Sequence, residues 1–171
     1  MVETQPSPRL YLGYGSNMWI EQMVRRCPQS KCLGIGFLLD WKWFICERGY
    51  ANIIESKGDK VYGLVYEVSE SDEKNLDHYE NVPTSYVKKI LTVIFLGKTD
   101  SIISSAKEML VYVDVERVHY GPPKTEYIYR MNMAIADAIK EGVPEEYVQK
   151  TLRPFIPKQW ASSSQPNPST K

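Results

Sequence analysis

The sequence has few of the residues from which metal centres and catalytic triads are built. Only two of its 171 residues are histidines, His78 and His119, which leaves little material for a zinc site or a Ser-His-Asp triad. The three cysteines, Cys27, Cys32 and Cys46, form neither an even set nor a Cys-x-x-Cys pair. We therefore expect no bound metal, and we expect reduced thiols in a cytoplasmic protein.

Net charge and long apolar runs are missing as well. The 21 basic and 21 acidic residues cancel, which argues against a nucleic-acid or anionic-membrane partner. No apolar run approaches the roughly 20 residues needed to cross a bilayer, and the polar first eight residues contain no signal-peptide core. We therefore expect neither a nucleic acid nor a membrane as partner.

Length and composition predict one globular α+β domain. The chain is 43% hydrophobic and 25% charged, which is ordinary for a globular protein, and it is long enough to bury a sizeable core. Residues 1–8 contain two prolines and little to bury, so we expect a flexible arm there and a domain over residues 9–157. Residues 158–171 are rich in Ser, Pro and Asn, which predicts a disordered tail.

Hydrophobic patterns place strands and helices along this domain. Strands are expected at residues 9–12, 32–46 (one long bent strand or two), 48–56, 60–68, 86–96 and 109–116, with a polar hairpin loop at 97–105. Both faces of 60–68 are apolar or aromatic, which predicts a strand covered on both sides. Helices are expected over 18–26, from Ser69 or Ser71 to about Tyr79, over 125–141 before Gly142, and over about 144–152.

A glycine-rich turn at residues 11–18, Tyr-Leu-Gly-Tyr-Gly-Ser-Asn-Met, joins the first strand to the first helix. Such a turn leaves backbone N–H groups at the positive end of a helix dipole, where they can bind a small anion or oxyanion. Gly13 and Gly15 permit close approach of a ligand, and Ser16 and Asn17 can cap the helix or contact that ligand. The turn carries neither nucleotide-binding glycine motif. The alternative is a plain tight turn with a serine or asparagine cap.

Glu80 is the carboxylate best placed for proton transfer. It falls at the predicted end of its helix, four residues after Leu76, and so shares the face that Leu76 turns inward. The negative end of the helix dipole, partial burial and the nearby Asp77 all predict a raised pKa, which suits a general acid/base. The alternative is a solvated surface acid among several neighbouring carboxylates.

Other chemically capable residues have simpler explanations. His78 begins a His-x-Glu sequence, but the Pro-Cys-x-x-Cys partner of a zinc deaminase is absent. Cys46 lacks a recognisable histidine base. Tyr127 could reach a ligand from the first turn of its helix, although it also belongs to that helix's apolar stripe. Trp41 and Trp43 alternate along a strand, which is more typical of a core or barrel wall than of a sugar platform.

Three stretches, in order, resemble the gamma-glutamylcyclotransferase family over about residues 9–155. The matched stretches are residues 11–17 (the Tyr-Gly-Ser-Asn loop), 63–66 with 76–86 (a strand, the catalytic helix end and the following strand) and 122–147 (the C-terminal helix and its Gly-x-Pro-x-x-Tyr segment). Asn81 stands where the family commonly has glycine after the catalytic glutamate, and asparagine also tolerates left-handed backbone geometry.

The resemblance implies a fold and a site. The implied fold is a small mixed β-barrel with flanking helices in a single domain, with a cavity at the glycine loop. Glu80 is the implied general acid/base. The implied substrate-binding residues are Tyr11, Leu12, Gly13, Tyr14, Gly15, Ser16, Asn17 and Tyr127, with no metal and no cofactor. Sister branches of the family carry leucine at position 17. With Asn17, the chain resembles the branch that acts on gamma-glutamyl amino acids.

The implied reaction is an intramolecular aminolysis in which the substrate's α-amine attacks its own γ-carbonyl carbon, giving 5-oxoproline and a free amino acid or amine. Backbone N–H groups of residues 13–16 are expected to hold the oxyanion or the α-carboxylate. Two alternatives stay open. One is removal of a gamma-glutamyl group from a glutathione conjugate or specialised metabolite, for which we expect a wide pocket lined by Trp41, Trp43 or Tyr50. The other is a non-catalytic binding module. A homodimer is left open as the oligomeric state.

Overall fold

Five strands close into a barrel in the computed structural model, which describes residues 6–97 and 104–159. The strands are β1 (Arg9–Gly13), β2 (Lys31–Ile45), β3 (Ala51–Val68), β4 (Val87–Gly97) and β5 (Ser105–Val113), and the helices are α1 (Ile20–Arg26), α2 (Glu70–Tyr79), α3 (Thr125–Glu141) and α4 (Glu145–Tyr147). The order around the barrel is β1-β3-β2-β4-β5, and a parallel pairing of β5 with β1 closes it. The α+β class and the mixed barrel are confirmed.

The β2–β3 hairpin forms the largest part of the wall. The sequence predicts two strands at 48–56 and 60–68, but the structure joins them in β3. An irregularity in the pairing explains the interruption in the pattern, because Trp41 lies opposite Glu55 whereas Leu39 lies opposite Lys60. Asp40 adopts a φ of 64° at this point and accepts a hydrogen bond from the Gly58 N–H. β2 is one strand, and the segment 61–68 is buried on both faces as predicted.

The segment after β1 differs from the prediction in its helix start. Ser16–Met18 form a 3₁₀ turn, and α1 begins only at Ile20. Neither Ser16 nor Asn17 caps this helix. The carboxylate of Asp137 in α3 accepts from the Ile20 N–H at 2.9 Å instead, which ties α1 to α3 and frees the polar side chains of the turn for other contacts.

The other helix ends largely match the prediction. Ser69 caps α2 in a capping box with Asp72, and Gly142 ends α3 with a left-handed φ of 113°. α4 continues into a π-helical turn at Val148–Leu152. Within the described residues, no helix is long and apolar enough to cross a membrane. Residues 1–5, 98–103 and 160–171 lie outside the described residues, so the flexible arm, the hairpin loop and the disordered tail stay predictions.

Candidate active site

A cavity of about 220 Å³ lies where the turn after β1, the end of α2 and the start of α3 meet. Of the residues that the resemblance assigns to the site, all but Gly13 line this cavity. Those residues are Tyr11, Leu12, Tyr14, Gly15, Ser16, Asn17, Glu80 and Tyr127. Gly13 lies in β1 beside the site, where an added Cβ would stand 3.3 Å from the Asn17 Cβ and 3.4 Å from the Tyr11 hydroxyl.

Glu80 reaches the cavity because the end of α2 is fixed on both sides. Leu76 is fully buried, and the Glu80 N–H still donates to the Leu76 carbonyl at 2.8 Å, which completes the last turn. Asn81 then leaves the helix with a φ of 50°, the left-handed geometry expected of it. The buried Leu76 and the left-handed Asn81 together point the Glu80 carboxyl at the cavity wall.

Burial raises the pKa of Glu80 to about 7, against the opposing charges of Arg26, Arg48 and Arg130. Part of the residue remains open to the cavity, so the carboxyl can still meet a ligand. Asp77 does not act as the sequence predicts. Its carboxylate accepts from the Tyr112 hydroxyl at 2.7 Å and from Lys88 at 3.0 Å, so its charge is engaged elsewhere.

Three arginines from distant parts of the chain surround this carboxyl, and the sequence analysis missed all three. Arg26 comes from α1 and donates to the Asn17 Oδ1 at 3.2 Å. Arg130 comes from α3 and is held by a two-point pair with Glu126, at 2.8 and 3.1 Å. Three arginines and one carboxylate line the cavity, an arrangement that suits an anionic ligand.

Arg48 is the third arginine and the least engaged. Its guanidinium lies over the rings of Tyr50 and Tyr86, at 5.5 and 5.0 Å from their centroids. Its Nε stands 3.4 Å from an Asp114 carboxylate oxygen but too poorly aligned for a hydrogen bond. Within the described part of the chain, its buried Nε and Nη2 have no hydrogen-bond acceptor. Arg48 lines the cavity, so its guanidinium is a candidate carboxylate receptor.

The hydroxyl groups of the cavity fall into two classes. Some donate their proton to a protein oxygen: Tyr14 to the Tyr112 carbonyl at 2.6 Å, and Tyr86 to the Ala51 carbonyl at 2.7 Å. Their polar ends are therefore structural. This separates the two tyrosines of the turn, because the Tyr14 hydroxyl is engaged in the barrel wall.

The hydroxyl groups of the second class accept hydrogen bonds through oxygen, and their own protons remain available to a ligand. The Tyr11 hydroxyl accepts from the Asn17 amide at 2.9 Å. The Ser16 hydroxyl accepts from Gln22 and Arg130, and the Tyr127 hydroxyl accepts from the Ser16 N–H at 3.2 Å. For none of these three protons do residues 6–97 and 104–159 supply an acceptor. Three O–H donors that line one cavity can stabilise an oxyanion or a carboxylate.

The backbone cradle predicted from the glycine turn takes a different form. The Ser16 N–H donates to Tyr127 and is no longer available to a ligand. Gly15 permits this arrangement, because an added Cβ would lie 2.7 Å from the Tyr127 hydroxyl. Burial raises the pKa of Tyr127 to about 12, while the Ser16 amide and Arg130 lower it, so its hydroxyl remains a proton donor at neutral pH.

Of the alternative candidates, only Tyr50 lines the cavity. Trp43 is buried, packs against Phe155 and donates from Nε1 to the Tyr14 carbonyl at 3.0 Å, which supports the turn from behind. Trp41 does not line the cavity either, whereas Tyr50 does. His78 is exposed, and the described residues contain no cluster of His, Cys, Asp and Glu side chains that could hold a metal.

Comparisons with known proteins agree with this geometry. Residues 11–131 match the family described as gamma-glutamyl cyclotransferase, AIG2-like. The chain is 28% identical to the gamma-glutamylcyclotransferase of Bos taurus, over 86% of this chain and 79% of that protein. It is 26% identical to the gamma-glutamylcyclotransferase of Homo sapiens, over 82% of this chain and 76% of that protein.

Solved structures give the same result for the fold. A crystal structure of an uncharacterised human protein superposes with a TM-score of 0.73 at 26% identity, covering 91% of this chain and 92% of that one. A structure of a gamma-glutamyl cyclotransferase superposes with a TM-score of 0.71 at 25% identity, covering 90% of each chain. The family match spans most of the chain and includes the turn, Glu80 and Tyr127. The protein therefore belongs to the gamma-glutamyl cyclotransferase, AIG2-like family.

Proposed function

We propose that the protein is a gamma-glutamylcyclotransferase that converts gamma-glutamyl amino acids or peptides into 5-oxoproline and a free amino acid or amine. The observation that carries the proposal is the pairing of one carboxyl, Glu80, whose pKa is about 7, with three available hydroxyl donors in the same cavity. A pKa near the working pH suits a group that both takes and returns a proton.

The first step is deprotonation of the substrate's α-ammonium group. Glu80 in its carboxylate form accepts one proton and leaves a neutral amine. The amine lone pair then attacks the γ-carbonyl carbon, which forms the new C–N bond and moves the carbonyl π electrons onto oxygen. Both reacting groups belong to one molecule, so the enzyme needs only to hold the chain curled for much of the entropic cost to be avoided.

The second step is collapse of the tetrahedral intermediate. The hydroxyls of Tyr11, Ser16 and Tyr127 are the donors available for its oxyanion or for the substrate's α-carboxylate. Protonated Glu80 gives its proton to the leaving nitrogen as the original amide C–N bond breaks and the carbonyl re-forms. Glu80, again a carboxylate, then takes the second proton from the new ring nitrogen and passes it to the departing amine. In net terms two protons pass from the attacking to the leaving nitrogen, and Glu80 ends as a carboxylate. The ring closure consumes neither water nor a redox equivalent.

The leaving group that suits this cavity is small and carries a carboxylate. The volume of about 220 Å³ is below the roughly 300–1,000 Å³ typical of sites for drug-sized ligands, which favours an amino acid over a bulky conjugate. Arg48 lines the cavity, and a carboxylate is the best partner of a guanidinium. We propose that Arg48 binds the carboxylate of the leaving amino acid.

The test is mass-spectrometric detection of 5-oxoproline from four substrates: gamma-glutamylalanine, gamma-glutamylethylamine, glutathione and a glutathione S-conjugate. Release from the dipeptide is the expected result, and release from the conjugate alone would favour the specialised-metabolite alternative. In Arg48→Met, the KM for the dipeptide should rise on the order of tenfold while that for the ethylamide stays unchanged. Equal losses on both substrates would remove Arg48 from carboxylate recognition. Arg25→Met, an exposed arginine outside the cavity, is the matched control.

We also propose a cytoplasmic location for the protein. Cys27 and Cys46 are buried thiols, as expected in a reducing compartment. Fractionation of the native cell type, read with an antibody against the protein, tests this. The homodimer stays a prediction that light scattering of the purified chain can decide.

A further inference from the structure

Gln22 is a buried amide directly behind the cavity, and it does not line the cavity itself. It lies in α1 with only 4% of its surface exposed. All of its side-chain hydrogen bonds run to groups of the site. Its Nε2 donates to the Ser16 Oγ at 3.0 Å and to the Asn17 Oδ1 at 2.9 Å, and its Oε1 accepts from Arg130 at 3.3 Å.

The orientation of this amide follows from its neighbours. An arginine nitrogen can only donate, so the Gln22 oxygen must face Arg130 and its NH₂ group must face Asn17. Arg130 is itself fixed by the two-point pair with Glu126. The reverse orientation of Gln22 would place its NH₂ group against the guanidinium and its oxygen against the Asn17 oxygen.

The same argument fixes Asn17. Its Oδ1 accepts from Gln22 at 2.9 Å and from Arg26 at 3.2 Å, so its NH₂ group must point the other way. On that side it donates to the Tyr11 hydroxyl at 2.9 Å and to the Glu80 Oε1 at 3.5 Å. The contact with Glu80 is at the long end of the hydrogen-bond range, as catalytic contacts often are before substrate binds.

We propose that Gln22 is a positioning residue. Arg130 orients its amide, and the Gln22 NH₂ group in turn orients the Asn17 amide so that the Asn17 NH₂ group donates to Glu80. This inference rests on the proposed function. A donor at that oxygen stabilises the carboxylate form of Glu80, which is the form that accepts the substrate's proton. The same link leaves the Ser16 hydroxyl proton free, since Gln22 and Arg130 both donate to its oxygen.

Other charged and titratable groups also act on Glu80 and are retained in every Gln22 variant. The cations are Arg26, Arg48 and Arg130, whose charges stabilise the carboxylate. Five tyrosines have their pKa raised by burial and, to a smaller extent, by the charge of Glu80: Tyr11, Tyr14, Tyr86, Tyr112 and Tyr127. The effect of Gln22 is therefore measurable as a change against a fixed background.

The experiment compares Gln22→Met with Gln22→Glu. Methionine is of similar size and removes the donor without adding a charge. Glutamate keeps an acceptor for Arg130 but cannot donate to the Asn17 oxygen, so its carboxylate opposes that oxygen and leaves Arg26 alone to hold the Asn17 amide in this orientation. Gln29→Met and Gln29→Glu repeat the two changes at an exposed glutamine outside the site.

Two readouts are taken: kcat and KM for gamma-glutamylalanine from pH 5.5 to 9.5, and the carbon-13 titration of the Glu80 carboxyl in the free protein, assigned with Glu80→Gln. We expect kcat/KM near pH 6.5 to fall on the order of tenfold in Gln22→Met and further in Gln22→Glu. The deficit should shrink at high pH, and the Glu80 titration should move to higher pH in both variants. The Gln29 variants should match wild type.

A loss of the same factor at every pH, with an unmoved Glu80 titration, would make Gln22 a packing residue and overturn the inference. Thermal melting separates a simple folding defect from either result. If the wild type forms no 5-oxoproline, the proposed function fails, while the carbon-13 titration still decides whether Gln22 controls the protonation of Glu80.

Discussion

Replacement of Glu80 by glutamine should stabilise the protein at neutral and alkaline pH while removing its activity. In the folded protein the pKa of Glu80 is raised by burial from 4.5 to about 7. Between these values the folded state binds the proton more tightly than the unfolded chain does. Stability therefore falls as the pH rises through this window, and the loss is complete above about pH 7. Glutamine cannot ionise and escapes this loss.

The size of the effect follows from the shift. A rise of the pKa from 4.5 to about 7 corresponds to about 3 kcal/mol of unfolding free energy lost on ionisation. That figure already includes the stabilising charges of Arg26, Arg48 and Arg130, which oppose the burial. Glu80→Gln should thus match wild type near pH 4 and exceed it by up to about 3 kcal/mol at pH 8.

Urea unfolding at pH 4, 5, 6, 7 and 8, followed by tryptophan fluorescence, measures the difference. Glu55→Gln is the control, because Glu55 is exposed on β3 and its replacement should change stability by no more than about 0.5 kcal/mol at any pH. A Glu80→Gln protein that is no more stable than wild type at pH 8 would refute the reasoning that the fold holds this carboxyl at a raised pKa.

Three further predictions concern catalysis. A plot of log kcat/KM against pH should rise with unit slope and level off near pH 7, and Arg26→Met should move that rise to higher pH because Arg26 lowers the pKa of Glu80; an unmoved profile would contradict this. Gly15→Ala should lower kcat/KM on the order of 10²-fold, because the added Cβ would displace the Tyr127 hydroxyl. The control Gly13→Ala should lose less in the same steady-state assay. Equal losses in the two variants would count against the contact between residue 15 and Tyr127. Tyr127→Phe should lower kcat roughly 10²-fold in a single-turnover assay with KM little changed, and a kcat within threefold of wild type would exclude a proton donor there.

The parts of the site that local sequence predicts are those whose signals lie within a few residues. Leu76, Glu80 and Asn81 belong to one helix end, and their roles follow from spacing and from the backbone freedom of asparagine. The glycine turn is equally local. The resemblance, not the periodicity, predicts the barrel, since the pattern of residues 60–68 fits either a barrel or a helix-covered sheet.

The parts that local sequence does not predict depend on closure of the barrel and on docking of α3. Arg48 and Arg130 carry no local signal that separates them from surface arginines. Arg130 joins Glu80 because α3 packs on the turn. Arg48 joins it because the segment between β2 and β3 lies against Asp114 and Tyr86. A half-buried arginine facing an aromatic cluster is recognisable once these neighbours are known.

The donors of the site show the same limit. A glycine turn followed by serine and asparagine predicts free backbone N–H groups and a capped helix. In the structure the Ser16 N–H instead donates to the hydroxyl of Tyr127, 111 residues away, and the Asn17 side-chain amide donates to Glu80. Asp137 takes over the helix cap. Each substitution of partner requires a residue from α2 or α3, which no pattern within the turn could indicate.

The most direct test of the central claim is product analysis in water enriched in oxygen-18, with gamma-glutamylalanine as substrate and wild type and Glu80→Gln assayed side by side. Intramolecular aminolysis predicts 5-oxoproline without oxygen-18 from the wild type and a rate at least roughly 10²-fold lower in the variant. Glutamate carrying oxygen-18 would show hydrolysis instead of ring closure, and equal rates in the two proteins would remove Glu80 from the mechanism.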